Sequence, residues 1–248
     1  MTHNAQFRRA KDMVEERLGM ASGGVVETTD KGAGFVPAAI AANNLAIVLK
    51  LQGELNESKE LFQQALAIAS DSLGSEHAWT AAVATNLGDV LQLRGEWEDA
   101  EDNYRFALAV RKQVLGEIHL QTAITTNSLA VVLEAIEEWD EAEDLYREAL
   151  AIKEKLLGDK HPSVGITADR LALLLEKQQL FEEAEAMYRR VLNIKIEAFG
   201  AEHEEVAVTL SNLAGVLRKL LNFEEALELW SVCILFIQTH PPRVHSAL

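Results

Sequence analysis

The apolar positions of the chain recur at helical spacing, and the same pattern returns every 42 residues. Within each period, one stretch carries leucines four residues apart, and the next carries alanines around an aromatic residue. The leucines that open the pattern are Leu45, Leu87, Leu129, Leu171 and Leu213. Apolar residues three and four apart form one face of a helix, whereas strands alternate with a period of two. Each period therefore predicts two helices that pack as a hairpin.

Small residues occupy two fixed positions of each period. Those of the first helix are Ala46, Gly88, Ala130, Ala172 and Ala214; those of the second are Ser58, Ala100, Ala142, Ala184 and Ala226. Small side chains let two helices cross closely. The aromatic residue of the second helix is then expected to fill the space between hairpins, at Phe62, Tyr104, Tyr146, Tyr188 and Trp230.

A glycine ends each period, and a histidine follows it by three residues. The glycines are Gly74, Gly116, Gly158 and Gly200, and the histidines are His77, His119, His161 and His203. Ligands of one metal ion must converge on it, but equivalent residues of stacked hairpins lie about a helix pair apart. The histidines are therefore predicted to cap or pack helices, and no metal or other cofactor is expected.

Charge placement supports the second helix independently. Its first turns are acidic, and its last turns are basic, as in the pair Lys153 and Lys155. This order complements the helix dipole. Pairs such as Glu143 and Arg147 stand four residues apart in the favourable order. The charged runs are therefore predicted to be solvated helix faces.

The overall charge and the single cysteine limit the partners and the cellular location that we expect for the chain. The 39 acidic and 23 basic residues give a formal net charge of −16, which argues against nucleic acid or an anionic membrane as partner. The most apolar run, "ILFI", is too short to span a bilayer. Cys233 has no partner for an intrachain disulfide and takes a small core position, so a cytoplasmic location is expected. No arrangement typical of catalysis is found, and the chain is not expected to be an enzyme.

The repeated pattern resembles the tetratricopeptide repeat. The 42-residue period, with "LGDKHP" between hairpins and "YREALAIKEKLLG" before it, is similar to the longer variant of kinesin light chains. The resemblance implies an all-α solenoid, in which stacked hairpins form a right-handed superhelix. It also implies a concave groove that binds peptide segments of a partner protein.

The repeat pattern also divides the chain. Residues 1–19 are predicted to form a leading half-repeat helix, residues 20–34 a glycine-rich insert, and residues 241–248 a tail. Residues 35–240 hold five repeats, at about 35–73, 74–115, 116–157, 158–199 and 200–240.

Candidate groove residues lie on the first helices, away from the leucines. They are Asn43, Ile47, Lys50, Thr85, Asp89, Gln92, Asn127, Val131, Glu134, Asp169, Leu173, Glu176, Ser211, Gly215 and Arg218. The family resemblance implies that Asn43 of "NNLA" and Asn127 of "NSLA" face a bound peptide. Since the charges are mixed, a mixed or basic peptide fits at least as well as an acidic one. The alternative is that these positions are only solvated parts of a structural array.

The last second helix is apolar nearly all round. Trp230, Ile234, Phe236 and Ile237 are expected to make an end-to-end contact with a partner or a second copy. Three functions follow as hypotheses: a non-catalytic scaffold that binds peptides, a self-assembling structural array, or the regulatory repeat portion of a larger enzyme or signalling protein.

Overall fold

A computed structural model describes residues 35–239 of the protein. This part of the chain forms ten α-helices and contains no β-strand. The helices are α1 (Phe35–Gln52), α2 (Leu55–Leu73), α3 (Ala78–Arg94), α4 (Trp97–Leu115), α5 (Leu120–Ala135), α6 (Trp139–Leu157), α7 (Pro162–Lys177), α8 (Phe181–Phe199), α9 (Glu204–Lys219) and α10 (Phe223–Thr239). The predicted half-repeat helix at 1–19, the insert at 20–34 and the tail at 241–248 lie outside the described residues.

The odd-numbered helices are the predicted first helices, and the even-numbered ones are the second helices. Two compact units divide the chain, and the break between them follows residue 136. In unit one, α1 packs on α2, α2 on α3, α3 on α4 and α4 on α5. In unit two, α6 packs on α7, α7 on α8, α8 on α9 and α9 on α10. Each unit is thus built by stacking helices in their order along the chain.

Small residues allow the first and second helices of a hairpin to approach closely. The hydroxyl of Ser58 donates to the Ala46 carbonyl oxygen at 2.7 Å, so the one hydroxyl among these alanine positions is satisfied although it is buried. A Cβ atom on Gly88 would lie 2.9 Å from Cε1 of Tyr104, which is itself buried. The tyrosine ring therefore occupies the space that a side chain at position 88 would need.

Four histidines cap first helices, as the sequence predicts. Nδ1 of the imidazole accepts a hydrogen bond from the backbone N–H two residues further on, at 3.1, 3.1, 3.1 and 3.2 Å, in His77, His119, His161 and His203. An accepting Nδ1 requires a neutral ring with its proton on Nε2. Each cap satisfies one of the amide groups that a helix N-terminus leaves unpaired.

The two kinds of turn between helices make different demands on the backbone. Between hairpins, Gly158 has φ 86° and ψ 155°, and the equivalent glycines have similar angles. This region is open essentially to glycine alone. Within hairpins, the turn requires only a left-handed residue, which is Gly95 in one repeat but Gln179 and Leu221 in others. The first kind of glycine is therefore invariant along the chain, and the second is not.

We expect opposite effects from substitutions at these two turns. Gly158→Ala should lower the free energy of unfolding by about 1–3 kcal/mol, because alanine is strained at those angles. Gln179→Gly should raise it by up to about 1 kcal/mol, since a left-handed non-glycine residue is itself strained. Chemical denaturation followed by circular dichroism measures both. Equal stability of Gly158→Ala and the parent protein would contradict this account.

Candidate functional site

The first helices of unit one lie side by side. Oδ1 of Asn43 on α1 accepts from Nδ2 of Asn86 on α3 at 3.0 Å. Two turns further along α1 and one turn along α3, Nζ of Lys50 lies 2.9 Å from Oδ2 of Asp89. These two contacts connect α1 to α3 beside the solvent-exposed side of the two helices. We call the solvent side of α1, α3 and α5 the first-helix surface of unit one, and that of α7 and α9 the first-helix surface of unit two.

The predicted groove residues of unit one differ in their access to solvent. Asn43 is only 8% exposed, and its Nδ2 donates to Oδ1 of Asn44 at 3.3 Å. Thr85 is equally buried, and its hydroxyl donates to the Ala81 carbonyl oxygen of its own helix. The remaining positions are half-buried: Ile47, Lys50, Asp89, Gln92, Asn127, Val131 and Glu134. The amide of Asn43 is thus already engaged within the protein.

Tyr104 of the second helix α4 forms a hydrogen bond with the Asp89 carboxylate on α3. The Tyr104 hydroxyl donates to Oδ1 of Asp89 at 2.7 Å and lies 3.3 Å from Oε1 of Gln92. Burial, reinforced by the negative charge of Asp89, raises the pKa of the Tyr104 hydroxyl, so it stays a donor. Both oxygens of Asp89 therefore have a partner, one from Lys50 and one from Tyr104.

A buried arginine completes this polar cluster. Arg111 on α4 is 6% exposed and donates to the Gln121 carbonyl oxygen on α5 at 3.2 Å, and also to the Thr125 hydroxyl. Burial lowers the pKa of the Arg111 guanidinium, and the charge of Asp89 partly offsets this. Asp89 thus receives electrostatic support from two cations, Lys50 and Arg111.

In unit two, a lysine of α8 links the two first helices. Nζ of Lys195 lies 3.1 Å from Oδ2 of Asp169 on α7 and 3.1 Å from Oε2 of Glu205 on α9. The Tyr188 hydroxyl donates to Oε2 of Glu176 at 3.1 Å, which repeats the arrangement of unit one. Burial, together with the charge of Glu176, raises the pKa of this hydroxyl. The carboxylates predicted as groove residues are thus held by α8.

The other predicted residues of unit two are more open. Leu173 and Gly215 are half-buried, while Ser211 and Arg218 are exposed. Oδ1 of Asp169 is buried and has no hydrogen-bond partner among the described residues. This atom faces inward, while Oδ2 makes the ion pair with Lys195. Ionic groups of this surface therefore lie on both α7 and α9, since Lys195 pairs with Glu205 as well as with Asp169.

Sequence reasoning missed the cations that organise these clusters. The helix dipole alone accounts for Arg111, Lys153 and Lys195 in the sequence, but each is only 6–7% exposed. Lys153 donates to the Thr167 hydroxyl at 2.6 Å, and burial lowers its pKa. The spacing of these cations by 42 residues is the signal that could have found them, since a surface charge has no reason to keep that period.

Metal binding, cysteine chemistry and membrane insertion can each be compared with the described residues. Within residues 35–239, no group of three or more histidine, cysteine or acidic side chains is placed to hold a metal ion. The Cys233 thiol lies 3.4 Å from the Ala207 carbonyl oxygen, and burial raises its pKa. None of the described helices combines the length and apolar character needed to cross a membrane.

At α10, the predicted end-to-end residues differ in exposure. Trp230 and Phe236 are half-buried, and Ile234 is 56% exposed. The side chain of Ile237 lies outside the described residues. Exposed aliphatic residues surround these positions: Leu227, Val232 and Leu235.

The family model for the tetratricopeptide repeat matches residues 37–113, 80–155, 121–197 and 163–229. The chain belongs to the tetratricopeptide repeat family. The overlapping matches together cover residues 37–229, and so they reach all five described hairpins, the last of them in part. Repeats of this family support a general role in protein interaction.

Solved structures show which members this tetratricopeptide repeat array is similar to. The nearly identical repeats of a kinesin light chain-like protein from Podosopora anserina align with TM-score 0.74 and 24% identity, over 83% of this chain and 98% of that one. BtubC (BKLC) from P. vanneervenii aligns with TM-score 0.76 and 21% identity, over 100% and 98%. These likenesses confirm the predicted all-α solenoid of hairpins and the kinesin light chain-like repeat.

A third tetratricopeptide repeat protein is less similar. YrrB, described as having an unusual peptide-binding site, aligns with TM-score 0.60 and 18% identity, over 93% of each chain. No curated protein sequence matches the chain. The comparisons therefore show the family and the fold of the chain.

We expect the buried Lys195 of unit two to be structural. Lys195→Ala should lower the free energy of unfolding by about 1–3 kcal/mol, because it leaves Asp169 and Glu205 without their cation. Lys155→Ala is the matched control: this lysine also lies near the C-terminal end of a second helix but is exposed, and its loss should cost no more than about 0.5 kcal/mol. Denaturation midpoints measure both, and similar costs for the two variants would refute a structural role for Lys195.

Proposed function

We propose that the chain is a non-catalytic scaffold that binds an extended segment of a partner protein on its first-helix surfaces. The observation that carries this proposal is the side-by-side packing of α1 and α3, held at one edge by Asn43, Asn86, Lys50 and Asp89. Such a surface is rigid before binding, which lowers the entropy cost of association. The peptide-binding site named for YrrB is consistent with this use of the fold.

The polar groups of the surface favour binding over catalysis. Asp89 and Asp169 are engaged in ion pairs with Lys50 and Lys195, and Asp89 also accepts from a tyrosine. A general acid or base needs a carboxyl group with access to a substrate and a pKa tuned to its task. A cytoplasmic location is part of the same proposal, supported by the single, buried cysteine.

The surface can be tested with a bulky substitution in its middle. Ala82 is half-buried on α3, and Ala109 is exposed on the second helix α4 of the same hairpin. Ala82→Arg should abolish capture of partner proteins from the source cell, since the arginine would stand in the binding surface. Ala109→Arg is the control and should capture the same proteins as the parent chain. Mass spectrometry of the captured proteins is the readout.

Thermal melts of both variants show whether the fold survives. Identical capture by a folded Ala82→Arg variant would argue against this surface. Asn43 is a less suitable probe, because its removal leaves the Asn86 amide without its acceptor and so changes stability as well as binding.

A second candidate function is head-to-tail self-association, which one comparison of burial favours. Val48 on α1 is 41% exposed, whereas the residues at the same repeat position, Val90, Val132, Leu174 and Val216, are fully buried. On α10, Ile234 is 56% exposed, whereas Leu108 and Leu150 at the same repeat position are buried. A second copy that joined the Val48 face of α1 to the Ile234 face of α10 would bury both positions.

Single substitutions test this second function. Val48→Glu and Ile234→Glu each place a charge on one of the two faces. We expect the parent protein to grow in mass with concentration, each variant alone to remain monomeric, and a mixture of the two to form a dimer through the intact faces. Sedimentation velocity measures all three. A parent protein that stays monomeric at every concentration would exclude self-association.

A further inference from the structure

The middle of each first-helix surface is aliphatic. One position there recurs every 42 residues and is occupied by Ile40, Ala82, Ile124, Ile166 and Val208. The four larger side chains are 42%, 38%, 60% and 48% exposed. A single exposed aliphatic residue needs no explanation. Its return at one register is different, because the same position remains partly exposed to solvent in each of the four hairpins that carry a larger aliphatic side chain there.

A second aliphatic position lies two helical turns further on. Seven residues after Ile40, Ile124 and Ile166 come Ile47, Val131 and Leu173, all half-buried. Residues seven apart lie on the same side of a helix. The helices α1, α5 and α7 each present a pair of aliphatic side chains to solvent, and α9 presents Val208.

The charges flanking these pairs are compensated within the protein. In unit one, Lys50 is paired with Asp89, and Asp89 also receives the Tyr104 hydroxyl. In unit two, Lys195 is shared between Asp169 and Glu205. A charged ligand that bound one member of such a pair would compete with the other member. These paired charges therefore offer little attraction to either an acidic or a basic peptide.

We infer that the first-helix surfaces bind an uncharged, apolar peptide segment, with the exposed isoleucines as its anchoring contacts. This inference rests on the proposed peptide-binding function and specifies the chemistry of its ligand. Apolar burial supplies the affinity, since it is roughly proportional to the area removed from water. The polar flanks act by holding neighbouring helices in place.

The geometry also gives the spacing of the anchors. Packed helices lie about 8–10 Å apart, and an extended peptide advances about 3.3 Å per residue. In unit one, α1 and α5 carry the aliphatic pairs, and α3 between them carries Ala82 and Asp89 instead. The apolar side chains of a peptide on unit one should therefore be about five or six residues apart.

A phage-displayed library of random peptides, selected on the full chain, tests this inference even though the natural partner is unidentified. Apolar peptides of low net charge should be enriched. The binding of a synthetic copy should change less than about twofold between about 50 mM and about 500 mM salt. If the peptide binds unit one, Ile124→Ser should weaken its binding at least about tenfold; if it binds unit two, Ile166→Ser should do so.

The matched controls are Val114→Ser and Leu156→Ser. These aliphatic residues are 48% and 44% exposed, but they lie on the second helices α4 and α6. They should leave binding unchanged, and circular dichroism verifies that all four variants fold.

The outcomes separate this inference from the proposed function. Enrichment of acidic or basic peptides with steep salt dependence would overturn the apolar ligand but retain peptide binding. Apolar peptides that bind all four variants equally would overturn the isoleucine contacts. Selection of no peptide at all would overturn the proposed function and this inference together.

Discussion

The close crossing of the two helices in a hairpin is the constraint on which the rest of the structure depends. Only a small residue on the first helix leaves room for the tyrosine ring of the second, as the distance between Gly88 and Tyr104 shows. The ring is buried beside Gly88, and its hydroxyl therefore lies close to the next residue of the first helix. It then donates to Asp89, while the Tyr188 hydroxyl donates to Glu176, which holds the position of Gln92. One packing requirement thus also positions a carboxylate on the first-helix surface.

The buried cations extend this coupling from one hairpin to the next. Arg111 reaches from α4 to α5, and Lys195 reaches from α8 to both α7 and α9. A buried charge is costly unless it is paired and hydrogen-bonded, so these residues hold adjacent hairpins in one arrangement. The result is a surface whose polar flanks are stable before any ligand arrives and whose centre is aliphatic.

The sequence predicted most of the fold because packing positions must repeat when identical units stack. Leucine, small and aromatic registers, the histidine caps and the turn glycines were all visible in this way. The exposure of the predicted groove residues could not be read from the sequence in the same way. Asn43 and Thr85 lie on the first helices as predicted, but their burial depends on a neighbouring helix and on a backbone carbonyl group. Lys153 and Lys155 are alike in sequence, and only the next hairpin distinguishes them.

By itself, the sequence determined the repeat length, the helical hairpin and the family, because each depends on local periodicity and on backbone conformations that only one type of residue accepts. The glycine at Gly158 is an example, since its backbone angles exclude other residues. The tertiary structure alone decided which charges are available to a partner. Lys50 and Asp89 are 39 residues apart and become an ion pair only when α1 and α3 pack together. The partial exposure of Ile40 and Ile124 likewise became visible only in the packed helices, because it depends on what lies beside them.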